Sequence, residues 1–208
     1  MSNPLRLPGR VPAWLAALLP LLLAAILYRD VVTFGFLSDA ELLIAHNAYI
    51  KDLRYLWANL THDYFWSQSR TGIPYWRPFT KGSWVLEYQL FGPWAGGFLL
   101  VQLARFLLGI AGVQVLARRL GARPGFAVLC GVLYALHPAA IDPTCLIMAR
   151  SDVVSATAVI WTLCGYSLLL AARTRRQRAA ALALHLGSLL VGLGSKEQAI
   201  AVLPVLVL

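Results

Sequence analysis

An all-α, polytopic transmembrane bundle is the fold this sequence predicts, and three observations predict it. Of 208 residues, 59% are hydrophobic and only 13% are charged, where a soluble domain carries about 25% charged residues. The mean hydropathy is +0.67. Apolar stretches recur along the chain, and arginine groups close alternate ones. Together these exclude a soluble globular enzyme, a disordered tail and a nucleic-acid-binding domain. The formal charge of +9 does not alter this, because the basic residues cluster at the ends of apolar runs, where membrane orientation signals sit.

A hydrocarbon core of about 30 Å needs roughly 20 apolar helical residues, and the spans follow from that length. The first runs over residues 11–28 after Arg6 and Arg10. No small-x-small cleavage site precedes Arg29-Asp30, so it reads as an uncleaved anchor. A second span covers 97–116, before Arg118, Arg119 and Arg123. The third, 125–136, is cut short by His137-Pro138. Residues 153–172 make the fourth, ending in Arg173, Arg175, Arg176 and Arg178. The fifth is 179–194. A sixth begins near Ala199 and is still running at Leu208, so the chain reads as the N-terminal part of a longer membrane domain. Cys130, Cys145 and Cys164 form no metal or redox spacing, and Cys130 and Cys164 sit in apolar runs as small buried hydrophobes.

The positive-inside rule places the three arginine groups in the cytoplasm. The segments 29–96, 137–152 and 195–198 then face outward, and all nine acidic residues of the chain lie in them. Acidic residues contribute little to orientation, so a wholly one-sided set calls for a second cause. An outward-facing active site supplies one. Within the outer loop, Leu53, Leu56, Trp57, Leu60 and Tyr64 recur at helical spacing. That pattern predicts an amphipathic helix in the interface, with a second helix over 81–90. Asn59-Leu60-Thr61 matches the glycosylation sequon, a pattern short enough to arise by chance.

Three polar constellations stand on the outer side. Asp39 and Glu41, followed by His46-Asn47, offer a general base and an orienting or metal-binding group. His137-Pro138 and Asp142 precede Arg150-Ser151-Asp152, and Pro138 and Pro143 force irregular backbone close to the membrane. Arg150 on the outer side runs against the charge bias and calls for a job or a partner. Ser195-Lys196-Glu197-Gln198 supplies a self-compensating pair or a cation aimed at a ligand. Arg105, inside the second span, is costly there unless paired or wetted. Structural readings stand beside each: loops are often acidic, polar helix ends mark the water boundary, and Lys196-Glu197 can be a simple salt bridge.

Taken in order with Tyr75-Trp76-Arg77-Pro78-Phe79, these motifs resemble the membrane part of the transmembrane-and-tetratricopeptide-repeat proteins. These belong to the GT-C glycosyltransferase superfamily, which also includes the protein O-mannosyltransferases. Asp39, Ile44, Asn47, Arg77, Pro78, His137, Pro138, Arg150, Asp152, Lys196 and Glu197 match the family pattern. Ala40-Glu41, Ala140 and Asp142 depart from it, and no soluble repeat region is present in the sequence. The resemblance implies a membrane enzyme moving mannose or another hexose, with inversion, from a polyprenyl-phosphate donor to a hydroxyl of a protein or glycan. It assigns Asp39 as base with Glu41 beside it, and Arg150, Lys196 and Arg105 as phosphate ligands. Asn47, Arg77, His137, Asp142, Asp152 and Glu197 become orienting residues. No cofactor is required on this reading, and Asp39 with Glu41 is the pair that would hold a divalent cation. The Ala/Leu/Arg-rich composition points to a bacterial inner membrane, with catalysis on the periplasmic side. Two rivals are a lipid-linked substrate transporter or flippase and a non-catalytic membrane scaffold.

Orientation is directly testable. With cysteine placed at positions 175 and 63, a membrane-impermeant thiol reagent applied from the periplasm should label position 63 and spare position 175. The reverse pattern refutes the topology.

Overall fold

The computed structural model describes residues 12–68 and 75–207, so Arg6 and Arg10 lie outside the described residues. Among the described residues every regular element is helical. Helix α1 (Ala13–Ala17) and helix α2 (Leu19–Leu27) are separated at Leu18, two residues before Pro20, which lacks a backbone donor. Short elements fill the loop that follows: α3 (Ala48–Lys51), α4 (Leu56–Thr61), a π-helical turn and several 3-10 turns. Then come α5 (Pro78–Phe91), α6 (Ala95–Arg119), α7 (Pro124–Leu136) and α8 (Ile141–Cys145). The chain continues through α9 (Arg150–Ala171), α10 (Arg175–Leu193) and α11 (Leu203–Val207).

Three helical stretches are long and apolar enough to cross a membrane: Trp14–Thr33, Ala95–Arg119 and Ile147–Ala171. Counting Pro124–Leu136 and Pro138–Cys145 as one span, bent by 60°, gives a fourth. This fits a multi-pass membrane protein and is fewer than the six spans expected. Helix α10 forms where the fifth was placed, but its first turn carries Arg175, Arg176 and Arg178, and it does not qualify among these spans. The expected sixth is a 3-10 stretch, Glu197–Val202, running into α11; together they make only a short apolar helix.

Small residues set the helix spacing. Gly165 on α9 lies against the backbone of His185 on α10, and Gly192 faces Ala158. These contacts run the two helices antiparallel. At the other side of α9, Thr157 donates to the Arg105 carbonyl (3.2 Å) and Trp161 to that of Leu108 (3.2 Å). Arg119 reaches Ser167 Oγ and O. The arginines that end α6 and begin α10 therefore share one end of the bundle. Arg150, Asp152 and Lys196 lie at the opposite, acidic end. Buried large side chains concentrate at that acidic end, where Ile44, Ile50, Tyr64, Trp84, Val85, Phe98 and Leu99 form one core.

The outer loop is helical in pieces and differs from the expected interfacial helix. Asp52 accepts from Arg54 N–H (2.9 Å) and caps a 3-10 turn, Leu53–Tyr55, which breaks the periodic stretch. Leu56 and Leu60 then turn inward against α5, both meeting the space above Gly82. Leu53 and Trp57 remain exposed. The apolar stripe is thus divided between α5 and the surface. Asn59 of the sequon is fully buried and donates to the Tyr49 and Tyr55 carbonyls, so it is closed to glycosylation in this fold.

Candidate functional site

Asp39 is presented by unusual backbone. Ser38, directly before it, has φ of 57°, a conformation non-glycine residues rarely adopt. A π-helical turn, Glu41–Ala45, follows, closed by His46 N–H donating to the Glu41 carbonyl at 2.8 Å. Such local irregularities concentrate at functional sites. Asp39 and Glu41 are both exposed. Two residues apart on a helical turn, they leave on different sides, so they do not form a converging pair. Asn47 is buried and caps α3, its Oδ1 accepting from Tyr49 N–H (3.0 Å) and its amide donating to Leu43 O and Ser67 Oγ. Its geometry is that of a helix cap and loop tie.

Three segments distant in sequence meet through ion pairs. Arg77, just before Pro78 opens α5, donates from Nη2 to Glu197 Oε1 (3.1 Å) and from Nη1 to Ser151 Oγ (3.4 Å). Its guanidinium also lies 4.8 Å from the Tyr75 ring centroid and 5.5 Å from that of Tyr64, within cation–π range. Lys196 pairs with Asp152. A backbone bond from Phe79 N–H to the Gly194 carbonyl (3.2 Å) docks the segments beneath these side chains. The carboxyl of Glu197 is held below the usual carboxylate range by a backbone hydrogen bond and by the Arg77 guanidinium.

Tyr64 adjoins this cluster, its ring centroid 5.5 Å from the Arg77 guanidinium. The Tyr64 hydroxyl is pushed up by burial, while Arg77 and Arg150 pull it down and Asp39 raises it further. All three charges therefore lie within electrostatic reach of one phenol. His137 and Asp152 line a shared cavity of about 310 Å³ with Phe106, Tyr134 and Pro143. Ala139 N–H donates to His137 Nδ1 at 3.1 Å, so a neutral His137 carries its proton on Nε2. Asp142 is exposed and does not line that cavity.

Arg150 departs from the expected role of phosphate ligand. It is fully buried, and protein acceptors engage each of its nitrogens. Nη1 donates to Glu87 Oε2 (2.5 Å) and Ser83 Oγ (3.1 Å), Nη2 to the Phe98 carbonyl (2.9 Å), and Nε to Gln102 Oε1 (3.4 Å). Arg105 is drawn to the same carboxylate, Nη2 to Glu87 Oε1 at 2.9 Å. Both arginines are thus internal partners of Glu87, because a guanidinium in apolar surroundings is tolerable only when paired. Gln102 completes the arrangement by donating to the Pro143 and Leu146 carbonyls (2.5 and 2.7 Å). It satisfies backbone freed by the irregular turn before α9.

Sequence reasoning missed Glu87, Gln102 and Lys81. The signal for Glu87 was present: Thr80, Ser83 and Glu87 stand at i, i+3 and i+7 on one face of α5. Lys81 is 1% exposed, donates only to the Asp63 carbonyl (3.4 Å) among the described residues, and sits 5.3 Å from the Trp66 ring centroid. Burial lowers its ammonium to about 7, with Asp63 opposing. Among the described residues no three His, Cys, Asp or Glu side chains group as a metal site. Comparison of the chain with protein-family profiles, curated proteins and solved structures gives no match.

Two outcomes follow. Glu87→Gln leaves two interior guanidiniums without a carboxylate and should cost about 3–5 kcal/mol, read as a lowered thermal unfolding midpoint in detergent. Arg54→Ala, which removes an exposed pair with Asp52, should leave the midpoint unchanged. The second concerns pH. Folded Lys81 releases its proton at about 7 whereas the unfolded side chain keeps it to 10.5. The unfolded chain then binds more protons between those values, so stability should rise with pH across that window. Lys81→Met should flatten the rise, measured as unfolding midpoint against pH.

Proposed function

We propose that this chain is the membrane part of a glycosyltransferase. It would transfer a hexose from a polyprenyl-phosphate donor to an acceptor hydroxyl with inversion. The observation that carries this reading is the convergence of 75–79, 150–152 and 195–198 on the Arg77–Glu197 and Lys196–Asp152 pairs. Asp39 is exposed and makes no ion pair among the described residues, as a base that must meet substrate requires.

In the proposed reaction the Asp39 carboxylate takes the proton of the acceptor hydroxyl as that oxygen attacks the anomeric carbon. The bond from that carbon to the phosphate oxygen breaks, and the lipid phosphate leaves with the electron pair. Lys196 and Arg77, oriented by Asp152 and Glu197, meet the developing charge. Arg150 acts at one remove, holding Ser151 and Asp152 in place from inside α9. Arg105 lies with Glu87 and contributes no direct contact in this scheme. His137 Nε2–H, with Asp152 in the shared cavity, supplies a donor for a sugar hydroxyl. On this reading the acidic end faces the periplasm of a bacterial inner membrane and the arginine end the cytoplasm.

One observation favours a second reading. The buried Arg105–Glu87–Arg150 group is the kind of intramembrane ionisable set found along transport pathways, which a lipid-linked substrate flippase would use. Activity separates the two. In the full chain, reconstituted with a polyprenyl-phosphate hexose and an acceptor, Asp39→Asn should reduce transfer by roughly 10²–10⁴-fold while the unfolding midpoint is kept. Transfer unchanged by Asp39→Asn overturns the glycosyltransferase reading.

A further inference from the structure

A cleft of about 630 Å³ runs between α6, α9 and α10, a volume typical of ligand sites. None of Arg77, His137, Asp152 or Lys196 lines it. Its walls are Leu108, Val154, Trp161, Leu184 and Val191, and Arg105 is the one charged residue among those lining it. Val154 and Trp161 are seven residues apart on α9, which sets a length of about 11 Å at the helical rise. That is less than half of a hydrocarbon core of about 30 Å.

The charge of this region is not balanced. Glu87 is one carboxylate serving two guanidiniums, Arg105 and Arg150. Every nitrogen of Arg150 has a protein acceptor. Arg105 spends Nη2 on Glu87, and its Nη1 is buried without an acceptor among the described residues. The surplus positive charge therefore belongs to Arg105, a quarter exposed at an apolar groove. An uncompensated cation there is costly, and an anion that brings its own hydrocarbon removes both the charge imbalance and the unfilled space. A water-soluble anion would have to give up its hydration to reach it.

We infer that the α6/α9/α10 cleft holds an anionic phospholipid, its phosphodiester opposite Arg105 and one acyl chain laid along Leu108, Trp161 and Leu184. The site is separate from the Arg77–Lys196 cluster and stands whether or not the chain transfers sugar. Gly187 allows a clean probe. It lines the cleft, and nothing lies within 4 Å of a Cβ placed on it. Gly187→Trp therefore starts from open space and directs a large side chain into the cleft, and replacing a mid-helix glycine does not weaken α10.

The experiment is native mass spectrometry of the full chain released from nanodiscs. Phosphatidylglycerol, phosphatidylcholine, polyprenyl phosphate and inorganic phosphate are the probes, and circular dichroism follows the fold of each variant. The wild-type chain should retain phosphatidylglycerol at least about tenfold over phosphatidylcholine, a preference of about 1.4 kcal/mol. Arg105→Gln should lower retention to the phosphatidylcholine level. Gly187→Trp should do the same at unchanged helicity, which keeps the test decisive if Arg105→Gln misfolds. Inorganic phosphate should not compete. Equal retention of the two phospholipids, full retention in a folded Gly187→Trp chain, or selective displacement by polyprenyl phosphate each overturns the inference.

Discussion

The Glu87 carboxylate, held between Arg105 and Arg150, is the interaction on which the acidic end of the bundle depends. It joins α5 to α6 and α9 at a point where all three are buried. Hydrophobic packing alone is non-directional and leaves helices free to slide and rotate. Two charge-assisted bonds from different helices to one carboxylate fix both the register and the rotation of α5. Glu87 reaches Arg150 only if Ser83, one turn earlier, faces the same way, and Ser83 Oγ accepts from that guanidinium as well. The cost is desolvation of three ionisable groups, which good geometry offsets only in part.

What that carboxylate anchors is the base on which the exposed cluster is built. With Arg150 fixed, Ser151 and Asp152 occupy the next positions of α9 and meet Arg77 and Lys196 from one side. Gln102 holds the irregular stretch before α9 by two backbone carbonyls, so the chain enters the helix in one way. The interior pairs are shielded and rigid, while Glu197 and Asp152 are about half exposed. Charges that are partly wet are screened and exchange partners readily. The division suits a site that must hold its shape and still admit a ligand.

Much of the helical layout was legible. Apolar length, closing arginines and Pro138 marked α6, α7 and α9 to within a few residues, because span length and charge bias act locally. Asp39, His137, Arg150, Asp152 and the Lys196-Glu197 pair were expected around one outward-facing cavity from their shared depth. The structure pairs Lys196 with Asp152 and Glu197 with Arg77, and turns Arg150 inward to Glu87. The errors have particular causes. Arg150 read as outward because its position at a helix mouth is compatible with either direction, and its partners lie 48 to 67 residues away. The stripe of Leu53, Leu56, Trp57 and Leu60 read as one interfacial face, but Asp52 caps a 3-10 turn and Gly82 opens room for only two of the four. Helix α10 has the length of a span yet begins with three arginines, and length and charge disagree there.

Composition and hydropathy by themselves determined a helical chain with segments apolar enough to cross a membrane, and with all its acidic residues kept out of the three arginine-rich junctions. Those properties follow from the free energy of single residues in water, interface and hydrocarbon, which does not depend on their neighbours. Only the tertiary structure decided which cations point inward, that Glu87 serves two of them, and that Arg105 keeps a positive charge facing an apolar cleft. Pairing is a property of two side chains in three dimensions. The sequence states what each residue costs to bury, and the fold alone states who compensates it.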